Sequence, residues 1–126
     1  MIRVDTNYII RYLINDNIEM ANIAENILTT KEVFIANEII AEVVYVLKCV
    51  YNVSKDEIVD VLLQLIEFDN INVSNKNIIK NALIIYKTKN IDFVDSLLCA
   101  YSSKDEIATF DEKLKKCIDS SKHTSC

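Results

Sequence analysis

Apolar residues recur along this chain with two different spacings. Between short apolar runs of strand type, apolar positions return every three or four residues, which is the spacing of one helix face. The short runs lie at residues 2–4, 33–35, 70–73 and 106–110. The helical spacing covers about residues 8–14, 18–28, 37–50, 54–66, 75–86, 92–102 and 112–118. Strands that alternate with helices predict an α/β fold, with three α/β/α layers and a four- to five-stranded parallel sheet flanked by helices.

Local signals mark several of the predicted boundaries. Ser54-Lys55-Asp56-Glu57 is a capping box that opens one helix, and Asn37 is a candidate cap for another,. The chain contains no Gly and no Pro, so Asn is the residue best suited to left-handed turn positions, as at Asn90,. The polar residues from about 119 onward predict a frayed, disordered tail, which leaves little material for a fifth strand.

Length and composition predict one globular domain over residues 1–126. A chain of 126 residues suffices for one hydrophobic core, and 51% hydrophobic with 26% charged residues is typical of a globular protein,. The formal net charge of −5 argues against broad electrostatic adhesion to nucleic acid, which rests on Lys and Arg,. An enzyme that acts on nucleic acid would therefore need metal ions or a local basic patch.

The cysteine pattern argues against a zinc site. Cys49, Cys99, Cys117 and Cys126 form no C-x-x-C pair and have no His at ligand spacing,. Charged residues interrupt the N-terminal apolar stretch, so we expect no signal peptide, and no apolar run reaches transmembrane length. These features predict a cytoplasmic protein with reduced thiols.

Acidic residues recur where predicted strands end and helices begin. Asp5 follows the first strand, and Asp111 follows the fourth. Asp92 and Asp95 lie three residues apart at the start of a helix. In a doubly wound sheet these places converge at one edge, where ligands bind. Taken singly, Asp5, Asp92 and Asp111 could each be a helix cap, and Asp95 could complete a capping box.

Glu42 is a further candidate, within an otherwise apolar helix. A buried carboxylate there would be costly unless paired or liganded, whereas a solvated stripe with Glu38, Tyr45 and Cys49 is the simpler interpretation,. Several carboxylates at one sheet edge would repel one another unless a cation neutralised them. Oxygen ligands without His or Cys favour Mg²⁺ or Mn²⁺, which activate water for phosphoryl displacement. The lone His123 lies in the tail and completes no Ser-His-Asp set,.

Four sequence blocks resemble those of the PIN domain family and, within it, the VapC-type toxins of toxin–antitoxin pairs. The blocks are Val4-Asp5-Thr6-Asn7, Glu42-Val43, Asp92-Phe93-Val94-Asp95-Ser96-Leu97-Leu98 and Ala108-Thr109-Phe110-Asp111. Their order and separations are those of the family, and they span nearly the whole chain. The chain departs from the family pattern at Asn90 and Asp105-Glu106, where Gly is frequent, and at Ala36-Asn37, where Pro is frequent.

The resemblance implies a PIN-like fold, with the strand before Asp5 central in the sheet, and a metal-dependent endoribonuclease that cleaves RNA phosphodiester bonds. The implied ligands of Mg²⁺ or Mn²⁺ are four acids, with a fifth as accessory: Asp5, Glu42, Asp95 and Asp111, then Asp92. Side chains that would orient these carboxylates are Thr6, Asn7, Ser96 and Thr109. Arg11 is a candidate phosphate contact. The implied partners are the RNA substrate, a second copy in a homodimer, and a small antitoxin protein that blocks the site.

Two other folds account for the same acids less well. A response-regulator receiver would need an Asp after the third strand, where residues 70–73 supply none. A haloacid-dehalogenase-type phosphatase would need an Asp where Asn7 stands. Two alternatives stay open: a PIN-like module that binds RNA or protein without turnover, and an RNA-processing nuclease that has no antitoxin.

Overall fold

The computed structural model describes residues 1–124, with side chains through residue 121. Contacts divide the chain into two compact units, of which the first is Met1–Lys76 and the second begins at Asn77. Residues 1–124 contain seven helices and three short strands, so the predicted α/β character is confirmed. None of the described helices combines the length and the apolar composition needed to cross a membrane. The expectation of one domain over residues 1–126 stays a prediction.

The first unit carries the whole sheet. Its strands are β1 (Ile2–Arg3), β2 (Val33–Phe34) and β3 (Ile71–Asn72). They pair in parallel in the order β1-β2-β3, with Ile2 opposite Val33 and Val33 opposite Ile71. Within the described residues β1 therefore lies at an edge of the sheet, not at its centre as predicted.

Four helices of the first unit surround a core of aliphatic side chains. They are α1 (Thr6–Ile14), α2 (Ile18–Thr30), α3 (Asn37–Cys49) and α4 (Lys55–Ile66). Helix α1 packs against α2 and α3, and α3 packs against α4. Each helix buries one stripe, as Ile40, Val43, Val44 and Leu47 do on α3. This is the period that the apolar pattern predicted.

The helix boundaries follow local capping chemistry. The Ser54 hydroxyl accepts a hydrogen bond from the Glu57 amide at 3.2 Å, so the predicted cap of α4 is confirmed. Helix α3 instead begins at Asn37 with Ala36 as its N-cap, and no side chain caps it. Asn15 and Asn52 hold the left-handed conformation at φ of 59° and 56°. Among the described residues Asn90 does not share that conformation, so the turn there uses other backbone angles.

Asn70 ties the end of α2 to the start of β3. Its side-chain amide donates to the Leu28 carbonyl at 2.7 Å and to the Lys31 carbonyl at 2.8 Å. The last carbonyls of a helix have no partner within the helix. Asn70, about forty positions further along the chain, thus supplies hydrogen bonds to carbonyls at this helix end,. The same contacts hold the start of β3 next to the end of α2.

The second unit holds three helices, α5 (Lys76–Thr88, whose first residue ends the first unit), α6 (Phe93–Tyr101) and α7 (Glu112–Thr124). Helix α6 packs against α7 around a buried cluster formed by Cys99, Leu114, Cys117 and Ile118. The rings of Tyr86 and Phe93 meet edge to face, with centroids 6.0 Å apart.

Cys99 and Cys117 form a disulfide, so the expectation of reduced thiols is wrong for this pair. Packing of α6 on α7 brings their Cα atoms to 6.2 Å, within the usual range for a disulfide,. Their sequence separation of 18 does not predict this proximity, because only the tertiary contact creates it.

The predicted fourth strand is absent from the described structure, where the sheet has three strands rather than four or five. Residues 106–110 have no regular secondary structure. Ile107 and Thr109 are half-buried, and the other three residues are exposed. A strand in an α/β sheet is covered on both faces, and this segment lacks that cover.

Helix α7 is longer than predicted. The expected frayed tail from about residue 119 is instead helical through Thr124. The helix continues because Cys117 and Ile118 are buried and the Ser121 hydroxyl donates to the Cys117 carbonyl at 3.0 Å. The last two residues of the predicted tail, Ser125 and Cys126, lie outside the described residues.

The Asn70 contacts predict a measurable stability effect. Asn70→Ala leaves two carbonyls at the end of α2 without their donor, and should lower the free energy of unfolding by about 1–2 kcal/mol. Urea denaturation followed by circular dichroism measures this change. The control is Asn22→Ala, at an exposed position of α2, which should stay within about 0.5 kcal/mol of the parent. Equal stability of the two variants would contradict the assigned role.

Candidate functional site

Asp5 lies at the end of β1 and opens α1. Its Oδ1 accepts a hydrogen bond from the Tyr8 amide at 2.9 Å, so the carboxylate caps the helix as the simpler interpretation predicts. The cap uses one of two carboxylate oxygens, so it is compatible with a second role for the other. Asp5 itself is exposed.

Thr6 is buried beside Asp5 and carries an unsatisfied hydroxyl. The residue is 8% exposed, and its Oγ1 has no hydrogen-bond partner among residues 1–124. A buried hydroxyl without a partner costs free energy, which is unusual in a folded protein. The neighbouring Asn7 is exposed. Thr6 is therefore the one polar group in this turn whose placement local structure does not explain.

Glu42 lies on the exposed face of α3. Glu38, Tyr45 and Cys49 are also exposed, so the predicted solvated stripe is confirmed. The cost of a buried carboxylate therefore gives no argument that Glu42 binds a cation. Any such role rests on the family resemblance alone.

Two acids of the second unit begin its helices. Asp92 caps α6, with its Oδ1 accepting from the Asp95 amide at 2.8 Å. Asp111 caps α7, with its Oδ1 accepting from the Leu114 amide at 2.9 Å. A carboxylate at a helix N-terminus is favoured both by the free amides and by the helix dipole. These bonds fix where the two charges lie.

Asp95 is different, because capping does not account for it. The side chain is half-buried, and its carboxylate accepts no hydrogen bond within the described part of the chain. The capping-box interpretation is therefore not supported. Burial raises the pKa of the Asp95 carboxyl, and the negative charges of Asp92 and Asp111 raise it further,. The structure thus brings these three carboxylates within electrostatic range of one another.

Two hydroxyl residues shape the backbone around these acids. Ser96 is fully buried and donates to the main-chain carbonyl of Asp92 at 2.8 Å. The Thr109 hydroxyl accepts from the Asp111 amide at 3.0 Å. Each hydroxyl was predicted to orient a carboxylate directly. In the structure each instead contacts the main chain of the acidic residue, which positions the carboxylate through its backbone.

The predicted acids thus fall into two groups. Asp92, Asp95 and Asp111 interact within the second unit, and Asp5 and Glu42 belong to the first. Among the described residues, no three His, Cys, Asp or Glu side chains are arranged as a metal-binding cluster.

Arg11 does not point freely toward a ligand. Its Nη1 forms an ion pair with Asp16 Oδ1 at 2.9 Å, and its side chain is 29% exposed. A phosphate contact through Arg11 would have to compete with this pair.

One basic feature of the second unit cannot be placed from the sequence. Lys89, Lys113 and Lys116 line a cavity of about 220 Å³. The three-residue spacing of Lys113 and Lys116 on one helix was the available signal. Their meeting with Lys89 depends on how the end of α5 lies against α7, which spacing does not reveal.

The model of the PIN domain family matches residues 2–118. No curated protein and no solved structure shows significant similarity to the chain. PIN domains are generally nucleases and typically use divalent metal ions, so the match suggests a nuclease-type function. Because it covers almost the entire sequence, the chain belongs to the PIN domain family.

Proposed function

We propose that this protein is a Mg²⁺- or Mn²⁺-dependent endoribonuclease that hydrolyses RNA phosphodiester bonds. Asp95 is the observation that carries the proposal. Its carboxylate is half-buried, lacks hydrogen bonds within the described chain and is repelled by two neighbouring acids. Stability alone gives no reason for that arrangement, whereas a divalent cation would offset both the repulsion and the desolvation.

The donor atoms near Asp95 are of the type that such a cation prefers. Asp92 and Asp111 each use Oδ1 for a cap, and each has a second carboxylate oxygen. Oxygen donors alone are the ligands that Mg²⁺ and Mn²⁺ prefer. Within the second unit we assign the ligand role to Asp95 and Asp111, with Asp92 as the accessory acid. The same role for Asp5 and Glu42 rests on the family resemblance alone.

A bound divalent ion would supply Lewis acidity, which lowers the pKa of a coordinated water and stabilises charge on the phosphoryl oxygens. The chain supplies the positioning. The caps of α6 and α7 hold Asp92 and Asp111 in place before any ligand arrives. Thr109 and Ser96 fix the backbone of the same two residues. Charged groups that are preorganised in this way can act on a substrate without first having to reorganise.

We further propose that the protein acts in the cytoplasm as the toxin of a type II toxin–antitoxin pair, as a homodimer that a small antitoxin protein neutralises. This proposal rests on the four sequence blocks that resemble VapC-type toxins. A short adjacent reading frame for a DNA-binding protein would support it. Without such a neighbour, an RNA-processing nuclease would be the better description.

A module that binds RNA without cleaving it is the second candidate. One observation favours it, since helix capping alone accounts for Asp5, Asp92 and Asp111. Asp95 distinguishes the two candidates, because RNA binding without cleavage gives no reason to place its carboxylate close to those of Asp92 and Asp111.

Substitution of Asp95 tests the nuclease directly. Asp95→Asn keeps the size of the side chain and removes its charge, and should reduce RNA cleavage in Mg²⁺ or Mn²⁺ by about 100-fold or more. Cleavage of a labelled single-stranded RNA on denaturing gels is the measurement. The control Asp119→Asn changes an exposed acid of α7 and should cleave at the parent rate. Full activity of Asp95→Asn would refute the site, and an inactive parent chain with both ions would refute the nuclease.

The raised pKa of Asp95 predicts a pH-dependent stability difference. Because the folded state disfavours the ionised carboxyl, the penalty is present above the folded pKa and disappears as the pH falls through it,. Without divalent ions, Asp95→Asn should therefore melt at a higher temperature than the parent at neutral pH. The two melting temperatures should converge in acid.

Thermal denaturation across a pH series measures this difference. Added Mg²⁺ should stabilise the parent and not Asp95→Asn, because ligands stabilise the state that binds them. An Asp95→Asn variant that is less stable than the parent at neutral pH would show that Asp95 has a structural role instead.

A further inference from the structure

We propose that Lys113 and Lys116 of α7 form a subsite for a backbone phosphate of single-stranded RNA. The proposal rests on the proposed nuclease function and names the place where its substrate is held beside the acids.

The subsite is a surface cavity of about 220 Å³ in the second unit. Lys113, Lys116 and Ser120 follow one face of α7 at three- and four-residue spacing, so they share a wall of the cavity,. Lys89 and Asn90, which follow the end of α5, also line the cavity. Ile91 and Cys117 complete the lining.

Most of the accessible surface of this cavity is apolar, and the polar side chains at it carry donors rather than carboxylates. Lys113 and Lys116 each carry an ammonium group, Asn90 an amide and Ser120 a hydroxyl, and the described residues that line the cavity include no Asp or Glu,. This is notable in a chain with 19 acidic and 14 basic residues, whose net charge would repel RNA,. A local basic patch is what an acidic protein needs in order to hold a polyanion.

Lys115, which also lies on α7, has different surroundings from Lys113 and Lys116. Lys115 pairs with Glu112 at 3.6 Å. It lines a separate cavity together with Asp105, Glu106 and Asp119. Lys115 thus lies beside acidic residues, whereas Lys113 and Lys116 line a cavity whose described residues include no carboxylate.

The chain places this subsite next to the crowded acids. Asp92 comes two residues after Asn90, and Asp111 comes two residues before Lys113. Both groups of lining residues therefore lie on continuations of the segments that carry interacting carboxylates. A phosphate held by the lysines would leave a neighbouring phosphodiester of the same strand beside Asp92, Asp95 and Asp111.

The test is the affinity for a fluorescein-labelled oligoribonucleotide of about 15 nucleotides, measured by fluorescence anisotropy over a salt series. The full chain carries Asp95→Asn in every sample, so that binding is measured without cleavage. The double variant Lys113→Gln/Lys116→Gln should bind about tenfold more weakly at low salt. The slope of log K against log salt should become shallower by about 0.7 for each lost phosphate contact.

Lys115→Gln is the matched control, since it removes the same charge from the same helix on the other face. It should bind within about twofold of the parent. Lys113→Arg/Lys116→Arg keeps the charges and should also retain binding, which separates the electrostatic role from a folding defect. An equal loss in Lys115→Gln would show that only net charge matters and would overturn the subsite.

Unchanged affinity of the double glutamine variant, or no binding by the parent, would likewise overturn the subsite. Cleavage by the chain with an intact Asp95 is scored separately. A chain that cleaves RNA with glutamines at both positions as fast as without them would retain the nuclease and lose the subsite. A chain that binds RNA through these lysines and cleaves none would do the reverse.

Discussion

The repulsion among Asp92, Asp95 and Asp111 is the constraint on which the candidate site depends. Like charges separate unless something holds them, and here two of the three are held by hydrogen bonds that begin helices. The packing of α6 on α7 then keeps the two helix starts together, through Leu114 and the bonded pair Cys99 and Cys117. The contacts that stabilise the second unit therefore also keep the carboxylates of Asp92 and Asp111 close enough to repel that of Asp95.

This coupling explains why the caps are not evidence against a function. A cap uses one carboxylate oxygen and a fixed backbone geometry, which are also what a metal ligand requires of its support. Asp95 is the acid that points to a function, because its carboxylate is repelled by Asp92 and Asp111 and accepts no hydrogen bond in the described chain. Lys89, Lys113 and Lys116 follow the same two segments as Asp92 and Asp111, so the proposed RNA contact adjoins the proposed cation site in sequence.

The sequence predicted what local chemistry decides. Helix periods, the Ser54 cap and the solvated stripe around Glu42 follow from spacing and side-chain type, and the structure has them. The strand expected at residues 106–110 is missing. Its apolar residues predict a strand, but a strand also needs neighbouring elements to cover it, and the sequence of the segment does not show whether they do. Two features depend on tertiary contacts, which the residues adjacent in sequence do not predict. They are the Cys99–Cys117 disulfide and the cavity that Lys89 lines together with α7.

Calorimetric titration of the full chain with Mn²⁺ tests most directly whether the crowded acids are a cation site. The account predicts saturable binding to the parent chain and a loss of affinity of about tenfold or more in Asp95→Asn. Equal Mn²⁺ affinity in the two proteins would contradict the account, because the carboxylate that capping leaves unexplained would then have no part in holding the ion.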